Sequence, residues 1–141
     1  MMKFKSKKIK IGDMVFDSKK EYQRYLELLE LEKNGGISCL QRQVKFVLLP
    51  KQDGERAVTY IADHVYVYGE ILVVEDVKSK ITKKQPDYII KRKLFKYFYV
   101  NRKTIEHEEL CRLYNCEKIY FKEYEWWTKI NKQKNNLIVI Y

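Results

Sequence analysis

Proline is nearly missing from this 141-residue chain, with two in all, and glycine is scarce at five. Disordered and collagen-like chains need both in quantity and little apolar content, so at 45% hydrophobic residues the sequence excludes them. Histidine occurs twice, as His64 and His107, and cysteine three times, as Cys39, Cys111 and Cys116, with no CxxC spacing. That supply argues against a zinc site and against a disulfide framework, and an odd number of thiols fits a reducing compartment. Long apolar runs are absent too: the longest are about five residues, against the roughly 20 that a membrane helix requires. The opening Met1-Met2-Lys3-Phe4-Lys5-Ser6-Lys7-Lys8 is basic with no apolar stretch behind it, so a secretory leader is not expected and the expected location is the cytoplasm.

What the chain has is positive charge. Lys and Arg number 29 against 19 Asp and Glu, a formal net charge of +10. On a domain of this size such an excess favours a polyanionic partner through counterion release. A membrane surface fits less well, because no stretch is strongly basic on one face and apolar on the other. The length predicts one domain able to bury about two thirds of its unfolded surface.

The residues from Lys8 to Phe16 alternate around Gly12-Asp13 and read as a short hairpin or an edge strand leading to a helix start. A helix starts at Ser18, with Glu21 three residues on as in a capping box, and Asn34-Gly35-Gly36 stops it. Tyr22, Tyr25, Leu26 and Leu29 supply an apolar stripe at helical spacing. Cys39 to Leu49 reads as a strand interrupted by Arg42, Gln43 and Lys45. A further helix is expected from about Asp87 to Val100, with Thr82 or Gln85 as its cap and Pro86 in its first turn. Its basic residues Lys91, Arg92, Lys93 and Lys96 form either a solvated face or a phosphate-contacting one. Thr104 caps a third helix with Leu110, Leu113 and Tyr114 facing inward, and strands are expected at Lys118 to Lys122 and Leu137 to Tyr141. The adjacent Trp126 and Trp127 suit packing better than base stacking.

The sharpest signal is a pair of strands. Ile71-Leu72-Val73-Val74 is a β-branched apolar run that ends in Glu75-Asp76-Val77-Lys78. Side chains alternate along a strand, so Asp76 and Lys78 share the face of Leu72 and Val74. Thr59 to Tyr68 reads as the preceding strand, on which alternation groups Asp63 with Ile61, Val65 and Val67. A carboxylate placed twice among core positions needs a cationic side chain or a metal ion to neutralise it. Asp63 lies thirteen positions before Asp76, the spacing of neighbours across a hairpin turning at Tyr68-Gly69-Glu70.

This arrangement resembles the PD-(D/E)XK nuclease superfamily, and more closely a family of small phage-encoded, Holliday-junction-resolvase-like proteins assigned to it. The matching stretches are Phe16-Asp17-Ser18-Lys19-Lys20-Glu21; Gly36-Ile37 with Leu40, Gln43 and Phe46; Tyr60-Ile61-Ala62-Asp63; Val74-Glu75-Asp76-Val77-Lys78; and Lys91-Arg92-Lys93-Leu94-Phe95. They cover about residues 14 to 99 and leave about 100 to 141 as a C-terminal extension of unassigned role. Ala62 stands where the superfamily's name has proline, and the literal Pro86-Asp87 is a decoy because no acid-x-lysine strand follows it.

The resemblance implies an α/β fold, a restriction-endonuclease-like mixed central sheet flanked by helices in a single domain. It implies a magnesium- or manganese-dependent DNA endonuclease with Asp63, Asp76 and the Val77 carbonyl as metal ligands. Lys78 would be the catalytic amine and Glu21 a further catalytic acid. Gln43 matches a recurrent position near the site, while Arg42, Lys80, Lys91 and Lys93 are basic residues suited to DNA phosphates. Small members of the superfamily often act as homodimers on branched DNA, here within a bacterial host. Two alternatives stay open: a binding protein for DNA or a host protein that kept the fold without cutting, and a nuclease directed at RNA.

Overall fold

The computed structural model describes residues 8–79 and 82–125. Lys80, Trp126, Trp127 and the strand expected at Leu137 to Tyr141 lie outside the described residues.

The chain opens with an antiparallel hairpin of β1 (Ile9–Ile11) and β2 (Met14–Phe16), with Gly12 at φ +61 in the turn. Helix α1 (Lys19–Lys33) follows, then the long strand β3 (Ser38–Leu49), β4 (Val58–Tyr68) and β5 (Ile71–Lys78). Gly69, at φ +61, makes the two-residue connection that lets Tyr68 pair with Ile71. A 3₁₀ turn (Thr82–Lys84) leads into α2 (Pro86–Phe95), a π-helical turn (Lys96–Val100), α3 (Ile105–Tyr114) and β6 (Lys118–Glu125). The expected single helix to Val100 is thus an α-helix that widens after Phe95.

The main sheet has the order β3-β4-β5-β6, antiparallel except for β6, which runs parallel to β5 along its whole length from Ile71↔Lys118 to Lys78↔Glu125. The fold is therefore mixed α/β with helices on both faces. On one face Phe46, Tyr60, Ala62, Val65, Leu72, Val74 and Phe121 pack against Tyr88 and Phe95 of α2 and against Leu110 and Tyr114 of α3. On the other, Tyr66 and Val73 meet Leu28 of α1, together with Ile37. Among the described residues no helix is long and apolar enough to cross a membrane.

Two expectations about apolar faces are corrected. Leu26 and Leu29 are 45% and 37% exposed, and the inner side of α1 is instead Glu21, Arg24 and Leu28. The helix is rotated because the sheet beneath it carries a buried acid, Glu75, that draws Arg24 inward. Leu113 is 76% exposed, and His107 takes the inward position on α3, its Nδ1 2.6 Å from the Tyr99 carbonyl oxygen.

Candidate active site

A break in the pleat creates the site. Along β4, Tyr60 and Ala62 face the α2 side, and so do Val65 and Val67, which oppose Val74 and Leu72 of β5. Two residues, Asp63 and His64, stand between Ala62 and Val65 where regular alternation has one. Asp63 stays on the face of Val65 and Val67, as alternation back from them predicts, while Ile61, expected on that face too, falls on the other and is 48% exposed. On β3 the matching irregularity is Gln43, at φ +53, a conformation that non-glycine residues rarely adopt. The β3–β4 register runs Arg42↔His64 and then Val44↔Ala62, with Gln43 and Asp63 opposite each other in the gap. The paired residues of β4 and β5 likewise end at His64↔Glu75. Continuing that register sets Asp63 against Asp76, which is what their thirteen-residue spacing predicts.

Beyond the last pair, the Asp63 carboxylate replaces the ladder by accepting a hydrogen bond from the Val77 N–H at 2.8 Å through Oδ2. Asp76 is 2% exposed, and its Oδ2 has no hydrogen-bond partner. The nearest cation is the Lys78 Nζ, 3.6 Å away. Burial, and then the charge of Asp76, push the Asp63 carboxyl well above the ordinary carboxylate range, with Glu21 adding to the rise and the Val77 N–H opposing it. Tyr60, whose buried hydroxyl also lacks a partner, is held protonated by burial first and by Asp76 second.

Asp63 and the lysine border a cleft of about 380 Å³ lined also by Lys8, Asp17, Ser18, Lys20, Glu21, Val77, Ser79 and Thr82; Asp76, buried, is not among the lining residues. Ser18 caps α1 by accepting from the Glu21 N–H at 3.2 Å. The return half of the expected capping box is not made, because the Glu21 carboxylate turns to β3. There it accepts from Arg42 Nη2 at 3.3 Å and Gln43 Nε2 at 3.4 Å. Burial, followed by the charge of Asp17, raises the Glu21 pKa. Thr82 does not cap α2; it accepts from the Ser79 N–H at 2.9 Å on the rim of the cleft.

Asp63, Asp76, Val77 and Lys78 are thus brought together, with Glu21 and Gln43 beside them. Arg42 is engaged within the fold: its Nη2 donates to the Val15 carbonyl at 2.9 Å and its guanidinium lies 3.9 Å from the Phe16 ring centroid. Lys91 and Lys93 lie on α2 and are not among the residues lining the cleft.

Among the described residues no group of three His, Cys, Asp or Glu side chains is arranged to hold a metal ion. The pair of acids still suits a hard divalent cation, which binds one or two carboxylates and keeps several waters. An unpartnered buried carboxylate oxygen beside a carboxyl of raised pKa is a local excess of negative charge that such an ion would neutralise.

Sequence reasoning missed a second cluster under α1. Arg24 donates to Glu75 from Nε at 2.9 Å and from Nη2 at 2.8 Å, and Tyr66 donates to Glu75 Oε1 at 2.7 Å. His64 Nδ1 lies 3.3 Å from Glu75 Oε2, and its ring stacks on Tyr25. Burial pushes Glu75 up, but the Arg24 guanidinium overrides it and holds the carboxyl well below the usual range. The available signal was an arginine one turn past Glu21 and an acid inside an apolar strand.

A family model described as "Protein of unknown function (DUF1064)" matches residues 1–112. No curated protein and no solved structure matches the chain.

Proposed function

The chain belongs to that family, and from the chemistry of its residues we propose that it is a metal-dependent DNA endonuclease hydrolysing phosphodiester bonds, with branched or junction DNA as the substrate class. The observation that carries this reading is the meeting of Asp63 and Asp76 at the splayed end of β4 and β5, with the Lys78 Nζ 3.6 Å from Asp76 on the edge of an open cleft. The resemblance to PD-(D/E)XK nucleases supplies the reaction class, and the net charge of +10 suits a polyanionic substrate.

Asp63, Asp76 and the Val77 carbonyl would hold Mg²⁺ or Mn²⁺ through hard oxygen donors. Such an ion supplies a water of lowered pKa and positive charge against the phosphate. The remaining work falls to the chain. Asp63 is fixed by the Val77 N–H, so it reaches the reacting position without reorganisation. The Lys78 ammonium donates to a phosphoryl oxygen as negative charge builds there, while a water oxygen bonds to phosphorus and gives up its proton to solvent, and the bond to the sugar oxygen breaks, that oxygen taking a proton from solvent. Lys8 and Lys20 line the cleft with Ser18 and draw the backbone in by charge. Lys91 and Lys93 are proposed as further phosphate contacts, and a homodimer as the form that engages two strands of a branch; Arg42, bonded to Glu21 and the Val15 carbonyl, is not proposed as one.

The test is cleavage of single-stranded, duplex, flap and four-way junction DNA and a matched RNA, with Mg²⁺, Mn²⁺ or chelator, by wild type beside Asp76→Ala. Metal-dependent cutting by wild type alone supports the reading, and the panel names the substrate. Binding by both without cutting by either replaces it with the DNA-binding alternative.

A further inference from the structure

Lys78 leaves the end of β5 with its ammonium in two contacts. It lies 3.6 Å from Asp76 Oδ2 and 4.4 Å from the centroid of the Tyr88 ring. A lysine stem has four flexible carbons, and an aromatic face attracts an ammonium through its quadrupole. A carboxylate and a ring acting together therefore confine a charge that either alone would leave mobile.

The ring is itself held. Tyr88 is 6% exposed in the first turn of α2, and its hydroxyl donates to Glu123 of β6. Glu123 also receives Arg92 Nη1 at 3.5 Å and Lys83 Nζ at 3.8 Å. Burial, and then the bond to Glu123, raise the Tyr88 pKa, so the hydroxyl stays a donor. Glu123 is in register with Asp76 across the parallel β5–β6 pair, which is why an acid on β6 reaches the helix that covers the site.

We propose that Tyr88 is a positioning residue of this site: its ring, anchored by Glu123, sets where the Lys78 ammonium stands beside Asp76. This rests on the nuclease reading. It also gives a role to β6, which follows the residues 1–112 matched by the family model. The C-terminal strand supplies the anchor for the aromatic platform under the catalytic amine.

Two measurements on the full chain test this. The first is the NMR shift of the Lys78 side-chain methylenes, which a ring at this distance displaces. The displacement is expected to vanish in Tyr88→Leu and to shrink both in Tyr88→Phe, which keeps the ring but loses its bond to Glu123, and in Glu123→Gln. The second is metal-dependent cleavage. Tyr88→Leu is expected to lower kcat roughly tenfold with KM little changed, and Glu123→Gln to lower it a few-fold, both with Mn²⁺ affinity retained.

If Tyr88→Leu does not fold, Tyr88→Phe and Glu123→Gln carry the test, since neither opens a cavity. A Lys78 resonance indifferent to these substitutions, or variants that fold and cut as fast as a wild type that cuts, overturns the positioning role and leaves the nuclease reading intact. A wild type that cuts none of the substrates overturns the nuclease reading, and the role with it.

Discussion

Arg24 of α1 and Glu75 of β5, 51 positions apart, form a two-bond ion pair at 2.8 and 2.9 Å that is closed to solvent beneath the helix. The pair does more than join two elements. Glu75 precedes Asp76 and points to the opposite face, while Glu21 lies one turn before Arg24. Locking Arg24 to Glu75 therefore fixes the distance between the acids of β4 and β5 and the end of the helix that borders the cleft.

Removing either partner leaves a buried charge without its counterion. Arg24→Ala and Glu75→Ala should each destabilise the fold by about 3–5 kcal/mol, read from urea midpoints. The double variant Arg24→Met, Glu75→Leu should recover most of that loss, because an apolar pair fills the space without a charge to satisfy. Single variants as stable as wild type would show that the pair does not hold the helix down.

The same pair gives the protein an acid-sensitive component of stability. The folded-state pKa of Glu75 lies well below its ordinary 4.5, so its contribution is fully present above the unfolded value and disappears as pH falls through the folded one. The slope of stability against pH on the acid side should flatten in Glu75→Gln. An unchanged slope would contradict the assignment.

Asp63 acts with the opposite sign. Its folded pKa is raised above the ordinary 3.8, so ionising it opposes folding as pH rises from the unfolded value through the folded one. Without added metal, Asp63→Asn should be at least as stable as wild type at neutral pH, with the difference growing above pH 4 as measured by thermal unfolding. A variant that loses stability there would mean that the hydrogen bond to Val77 outweighs the repulsion.

A divalent ion should relieve that repulsion in the wild type. At 100 times its Kd, Mg²⁺ or Mn²⁺ is expected to add about 2.7 kcal/mol to wild-type stability. It should add little to Asp63→Asn or Asp76→Asn. Calorimetry showing equal metal binding by all three proteins would remove these acids from the ligand set.

Lys78→Met should separate charge stabilisation from metal binding. Cleavage is expected to fall by 10²-fold or more, the order found when one preorganised donor to a developing charge is lost. The metal-induced stabilisation should remain. Loss of both together would place Lys78 in the architecture of the ion site rather than in the chemistry.

Much of this was readable in the sequence because it depends on local rules. The β-branched run of Ile71 to Val74, the Gly69 turn and the thirteen-residue spacing place Asp63 across from Asp76 on strand geometry alone, and Ser18 announces the start of α1. The side-by-side placement of Asp76 and Lys78 follows from a period of two. Tertiary structure decided the rest. The positive φ of Gln43, at the break in the pleat that separates Asp63 from the exposed Ile61, has no local code in a glutamine. The inner face of α1 is charged rather than apolar because its partner, Glu75, is distant in sequence, and periodicity records apolar faces but not complementary charges. The parallel docking of β6, which brings Glu123 to Tyr88, depends on which edge of the sheet is free once the first three strands have formed. Local propensity shaped the strands that carry the acids and the lysine; packing between remote segments set the geometry in which they meet.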